Sequence, residues 1–322
     1  LNGRRLNGLI LKTSKKEKLI SASGSVRLFP RKAMSTERLS ATGSYTFGQF
    51  EKNAEELERL KMQATIALDI EKEVWSKAGL TPDMRVLDLA CGPGFISCEL
   101  ARLVNEGEVT GVDISAELIA VAHQAKASEK IENVVFQTGN LYELELPANR
   151  FDFVYARFVF QHLTKPQLAL KNILRVLKPG GILCILDIDD NWTSFSPASS
   201  AFIKFIRKAG AGQRRKGGNR LIGSQLYGLL SEAGFNNVSV GIHPLTTEDI
   251  GVRCFLGVAV LFRMEMLNRF QKLLALPRLR KIKAATEKPH AWGSLGIFVG
   301  TGTKSFSTAR KNVSEKGRFY GL

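Results

Sequence analysis

Two carboxylates and two glycines at a set spacing are the residues of this chain best placed to do chemistry. Asp88 sits inside the apolar run VLDL (86–89), directly before the turn ACGPG (90–94). Asp113 closes a second apolar run, 19 residues after Gly94. A glycine turn at the carboxyl end of a strand lets a ligand approach the backbone, and the helix that follows offers unpaired N–H groups. A carboxylate at the end of the next strand can accept hydrogen bonds from a ribose diol. The ligand this predicts carries an adenosine-type ribose and an anionic group. Nicotinamide dinucleotides and S-adenosylmethionine both answer that description.

The dinucleotide turn asks for G-x-G-x-x-G, and residues 92–97 supply Gly, Gly and Ser, an incomplete match to a weak signal. Asp88 separates the two ligands. A carboxylate just before the turn would repel a pyrophosphate but suits the ammonium of an amino acid.

A second group of candidates lies later in the chain. Arg157 and His162 follow the run FDFVYA; Asp187 and Asp189 end LDID; GQRRKGGNR (212–220) is a basic glycine segment. His162 could serve as a general base, against packing beside a helix start. Asp189 and Asp187 could line a pocket for an amine or hydroxyl, against solvated loop carboxylates. The basic segment could hold an anion, against a solvated, mobile loop.

The elements that must position these residues alternate. The pattern predicts a helix over 51–79, then strands at 84–90, 108–113, 133–139, 151–157 and 181–189, separated by helices at 94–105, 115–128 and 165–177. Helices follow at 195–210, 223–233 and 246–276, and strands at 235–242 and 292–304. This implies an α/β fold with a mostly parallel sheet and helices on both faces.

The net charge of +16 raises nucleic acid as a partner, but the charge sits at the ends. Residues 1–33 carry +8 and residues 304–322 carry +4, which leaves +4 for the body. Nucleic-acid binding is therefore not the expectation. Residues 1–33 read either as an upstream artefact or fragment of a longer product, or as a basic targeting segment. Four cysteines without a CxxC pair exclude a zinc site or disulfide framework and leave a reducing, cytoplasmic setting as the default. No apolar run is long enough to span a bilayer.

VLDLACGPGF, VTGVDIS, FQTGN, FDFVYARFVFQHL and LKPGG follow one another across 84–190. In that order and spacing they resemble the class I S-adenosylmethionine-dependent methyltransferases of the small-molecule type. Two flanking segments, SYTFGQFEKNAEELERLKMQA and KGGNRLIGSQLYGLLSEAGF, are similar more weakly, so the resemblance covers most of 45–304. It implies a Rossmann-like seven-stranded sheet in the order 3-2-1-4-5-7-6 with an antiparallel last strand. The domain organisation it implies is a helical lid segment (34–80) and the methyltransferase domain (81–304) with acceptor-side insertions near 190–222 and 246–290; it leaves the basic ends unexplained, and composition reads these as a disordered extension (1–33) and a tail (305–322).

The resemblance also implies roles. The backbone of Ala90, Gly92 and Gly94 cradles the methionine portion, and Asp88 orients its ammonium. Asp113 takes the ribose hydroxyls, Ile114 packs on the adenine, and Asn140 and Leu141 meet the adenine edge. Asn140 stands where the family more often has Asp. Tyr45 and Gln63 close over the methionine end. The expected reaction is methyl transfer to O, N or C of a small or medium organic acceptor, with His162, Asp189 and Arg157 as catalytic candidates and no metal. The alternatives are an RNA methyltransferase that uses the basic ends and a nicotinamide-dependent oxidoreductase.

Overall fold

The computed structural model describes residues 43–45 and 53–306. The expectations for 1–33 and for most of 305–322 lie outside the described residues.

Four short apolar runs make the parallel core of the sheet. These are β1 (Arg85–Leu89), β2 (Glu108–Asp113), β3 (Val134–Thr138) and β4 (Phe151–Arg157). The fifth strand, β5, spans Leu177–Ile188, and the long antiparallel β8 spans Trp292–Thr303. Between them in sequence come the three-residue β6 (Ser194–Ser196) and β7 (Asn236–Thr246). The sheet order is β3-β2-β1-β4-β5-β8-β6, with β7 on the other side of β8. Counting β7 as the sixth main strand and β8 as the seventh, this is the expected 3-2-1-4-5-7-6 with an antiparallel last strand. The expected seven strands become eight, because β6 extends the line of β5 along Trp292–Ser294. Three residues are too few for a periodicity to show.

Strand alternation feeds two cores. Val86, Phe153, Tyr155, Cys184 and Leu186 face one layer; Leu87, Leu89, Val154, Ala156, Leu183 and Ile185 face the other. That is the period-2 geometry of a strand buried on both sides. The first core holds helices α3 (Phe95–Leu103) and α4 (Ala116–Ser128), and the second holds α5 (Pro166–Val176). Ser115 caps α4 by accepting from the Leu118 N–H at 3.2 Å, and Pro166 opens α5.

Three predicted elements need correction. The helix expected over 51–79 is two, α1 (Asn53–Ile66) and α2 (Leu68–Lys77). At the break Arg157 Nη2 donates to the Gln63 carbonyl at 2.8 Å, and so satisfies one of the acceptors a helix end leaves open. The helix expected over 195–210 is α6, Ser200–Arg215, so Gly212–Arg215 are helical rather than loop. The helix expected over 246–276 is interrupted. Its first part, α8 (Thr247–Leu256), follows a short α7 (Leu226–Ala233) and bends at Gly251, whose φ of 75° and ψ of 151° no helix adopts. A π-turn and a 3-10 turn carry the chain to Met266, and Asn268 starts a new helix, α9 (Arg269–Thr286), with a capping box to Gln271.

Candidate active site

The carboxyl ends of β1, β2 and β4 open onto one cavity of about 200 Å³. Its floor is the turn after β1. Ala90, Gly92 and Gly94 all have positive φ (56°, 56° and 76°), so the chain coils tightly there. A Cβ on Gly92 would meet nothing within 4 Å, because that residue faces the open cavity. A Cβ on Gly94 would lie 2.7 Å from Ala122 Cβ and Phe136 Cζ. Gly94 is therefore required by packing against α4 and β3, and it does not line the cavity. Ala90 and Gly92 line it on either side of Cys91.

Two acids flank the floor. Asp88 is buried, and its Oδ2 accepts the Ser97 hydroxyl at 2.6 Å. Burial pushes its carboxyl up to about 7. Asp113, also buried, accepts the Gly92 N–H on Oδ2 at 2.8 Å and the Ser115 N–H on Oδ1 at 2.9 Å. Burial raises its pKa, and these backbone donors oppose the rise. The Ile114 N–H adds to these backbone donors. Ile114, half exposed, lies on the same cavity wall. Asn140 Oδ1 accepts the Tyr142 N–H at 3.0 Å and so caps the short turn that carries Leu141.

The wall facing the floor comes from α1 and the residues near Tyr45. The Tyr45 hydroxyl donates to Glu56 Oε1 at 2.7 Å. Arg59 grips Glu56 through Nε and Nη2, donates to Gln63 Oε1 at 2.8 Å, and stacks its guanidinium 4.0 Å from the Phe262 ring centre. Burial and the neighbouring Glu56 carboxylate push the Tyr45 phenol up, so it remains a donor. Of the ten residues expected to hold a cofactor, nine line this cavity; Gly94 alone does not. Glu56, Arg59 and Phe262 were not among the sequence candidates. Glu56, Arg59 and Gln63 are spaced i, i+3, i+7 on a helix, so a shared face was legible in their spacing.

The three catalytic candidates separate. Arg157 lines the cavity, but its Nε is committed to the fully buried Glu71 at 2.7 Å, and Glu71 also accepts the Tyr155 hydroxyl at 2.7 Å. His162 lines the cavity too. Its Nδ1 lies 2.9 Å from Ser44 Oγ and 3.2 Å from Gln213 Nε2. Gln213 Nε2 also donates to the Gln161 carbonyl at 3.1 Å, which fixes the amide orientation. Nδ1 is therefore an acceptor, and the neutral ring carries its proton on Nε2. Burial and the Arg220 and Arg59 charges push the imidazole down to about 3.

Asp189 faces a second, smaller cavity of about 50 Å³. One of its oxygens accepts the Asn191 N–H at 2.9 Å, and the other the Ser224 N–H and hydroxyl at 3.2 and 2.6 Å. Asp187 and Asp189 are both buried, which corrects their reading as solvated loop carboxylates. Arg220 is buried as well, against the reading of 212–220 as a solvated loop: it binds Asp190 and donates to Gln161 Oε1 at 2.7 Å. The small cavity shares Arg59, Gln63, Phe158, Gln161 and Phe262 with the large one. It adds Arg263, which is only 3% exposed. Arg263 Nη1 lies 2.9 Å from Asp190 Oδ2, but its hydrogens are not aligned on that oxygen, and Nε has no hydrogen-bond partner.

A model of a methyltransferase domain matches residues 80–234. Over that stretch the chain is similar to the methyltransferase-domain family. An uncharacterized methyltransferase of Schizosaccharomyces pombe is 42% identical over 111 residues, 33% of this chain and 40% of that protein. A demethylmenaquinone methyltransferase of Staphylococcus aureus is 34% identical over 137 residues, 42% of this chain and 56% of that protein. This chain thus spans about half the length of the curated relatives it matches. In fold, the methyltransferase domain is similar to phosphoethanolamine N-methyltransferase 2 of Haemonchus contortus, whose structure is a complex with S-adenosyl-L-methionine. The TM-score is 0.53 at 18% identity, over 86% of this chain and 61% of that one. Among the described residues no group of three or more His, Cys, Asp or Glu side chains could hold a metal ion, and no helix is long and apolar enough to cross a membrane.

Proposed function

We propose that this chain moves a methyl group from S-adenosylmethionine to O, N or C of a small or medium organic acceptor. The observation that carries the reading is the convergence of Asp88, Asp113, Ile114, Asn140 and the Ala90–Gly92 backbone on one cavity at the carboxyl end of the sheet. The donor set fits a cofactor with an ammonium, a ribose diol and an adenine. Asp113, at the cavity wall, offers its carboxylate as acceptor to the diol. Asp88, neutral up to about pH 7 in the ligand-free chain, becomes a carboxylate when a cation is placed beside it. Ile114 offers the apolar face for a purine, and the Asn140 amide and the Leu141 backbone meet its edge.

When bound, S-adenosylmethionine supplies an electrophilic methyl group on a sulfonium. The chain's part is alignment and exclusion of water. Tyr45, Arg59 and Phe262 roof the cavity, and the Glu56 and Gln63 contacts hold that roof in place. Arg157 acts as a positioning residue: it ties Glu71 on α2 to Gln63 at the end of α1. His162 presents Nε2–H rather than a free lone pair, so it holds and orients an acceptor oxygen rather than taking a proton. The acceptor enters by the smaller cavity, where Arg263 offers Nε–H to one of its oxygens. The demethylmenaquinone methyltransferase among the relatives supports an organic acceptor of moderate size.

The test is transfer of labelled methyl from S-adenosylmethionine to a panel of hydroquinones, phenols and amines, by the full chain and by Asp113→Ala. Label on one acceptor class, lost in the variant, supports the reading. A chain that binds neither S-adenosylmethionine nor its demethylated product overturns it.

A further inference from the structure

Helices α6 and α9 pack on each other through Phe202, Phe205, Ile206, Ala275 and Ile282, which all belong to one buried cluster. Together the two helices carry eleven Lys and Arg and no Asp or Glu. What they turn outward is unusual. On α9 the residues opposite buried Ala275 and Ile282 divide along the helix. The first two turns show Phe270 (68% exposed), Leu273 (63%), Leu274 (45%) and Leu276 (46%); the last two show Arg280, Lys281 and Lys283. Leu261, in the turn before α9, is 61% exposed, and Ile203 on α6 is 49% exposed. Single exposed apolar residues need no explanation; a contiguous cluster on one helix does.

We propose that this face docks on an anionic lipid surface, with Phe270, Leu273, Leu274 and Leu276 in the acyl boundary and the cations of α6 and α9 among the headgroups. An apolar half beside a cationic half, whose Lys283 pairs with Glu287 at the helix end at 3.8 Å, is the pattern of a helix that lies in a membrane interface. A nucleic acid would use the cations but leave the leucines without a role. The docked face adjoins the site, because Phe262 and Arg263, which line the two cavities, lie just before α9. The inference stands on the surface alone and does not need the methyltransferase reading.

The experiment is flotation of the full chain with vesicles of phosphatidylcholine plus phosphatidylserine, and with phosphatidylcholine alone. Two variants accompany it, Phe270→Ser/Leu273→Ser and Arg280→Glu/Lys281→Glu. Both replace exposed residues, and circular dichroism checks their folding. The expected result is binding to the anionic vesicles, about tenfold or more weaker on neutral ones and about tenfold or more weaker for the serine variant. The charge-reversed variant loses binding to a similar degree. The terminal cations remain in both variants, so the serine variant separates this face from the ends. No binding to anionic vesicles, or binding that the serine variant leaves unchanged, overturns the proposal. So does tight binding of single-stranded RNA that depends on Arg280 and Lys281 but not on Phe270 and Leu273.

Discussion

The two cavities that share Gln161 and Phe158 are built in opposite ways. The floor of the larger is assembled from turns that directly follow β1, β2, β3 and β4, opposite the side-chain wall of Tyr45 and α1, and backbone groups carry much of it. Asp113, for example, takes N–H groups from Gly92 and Ser115. The smaller is assembled from Arg59, Asp189, Arg220, Arg263 and Ile297, segments far apart in the chain, and it buries guanidinium groups around a shared Asp190. The first is a backbone device that tolerates variation around it. The second is a side-chain network, whose members depend on one another.

The comparison breaks most sharply at the buried pair that supports both. Glu71→Ala would leave Arg157 and the Tyr155 hydroxyl without their carboxylate. It should cost about 3–5 kcal/mol in urea unfolding, the usual penalty for breaking a buried pair. A loss below about 1 kcal/mol would remove Arg157 from its positioning role.

Within the large cavity, Asp113→Ala should weaken binding of S-adenosylhomocysteine by about 100-fold, the worth of one to two hydrogen bonds to a charged group. Asp88 gives the pH signature. Its carboxyl is pushed up to about 7 by burial, and an ammonium ligand selects the ionised form. Affinity should therefore rise about tenfold per pH unit up to about 7 and level off above it, and Asp88→Asn should flatten the profile. For the ligand-free chain the sign reverses. A carboxyl whose folded pKa is raised contributes stability that is complete below the unfolded value and is lost as pH rises toward 7.

The smallest effect is expected in the small cavity. Arg263→Met keeps Asp190 paired with Arg220 and removes a buried, partly unpartnered guanidinium. Its unfolding temperature should stay level or rise, and binding of S-adenosylhomocysteine should change by less than about twofold. A large fall in unfolding temperature would make Arg263 a structural brace rather than a group held for a ligand.

This contrast also explains what could be read from the residues alone. The strand order and the antiparallel β8 were legible, because alternating apolar runs and glycine turns are local signals. Nine of the ten cofactor candidates also line one cavity. Gly94 does not line it, because it packs against Phe136, a contact across 42 positions that no spacing reveals. For Asp187 and Asp189 the residues left a pocket wall and a solvated loop both open, and Arg220 read as solvated because it lies in a Gly-rich basic segment. Their burial rests on distant partners: Gln161 for Asp187, Ser224 for Asp189, and Asp190 and Gln161 for Arg220. Arg263 stood inside an apolar run with nothing nearby in sequence to mark it. The break between α1 and α2 needed Arg157, 94 positions from the carbonyl it binds.

The central claim is that the ACGPG turn and Asp113 hold S-adenosylmethionine. The most direct measurement is calorimetric titration of the full chain with S-adenosylhomocysteine, with NAD(H) and NADP(H) as controls. The account predicts micromolar-range binding of S-adenosylhomocysteine that Asp113→Ala weakens and Arg263→Met does not, with no heat from either nicotinamide. Binding of a nicotinamide dinucleotide without binding of S-adenosylhomocysteine would contradict it.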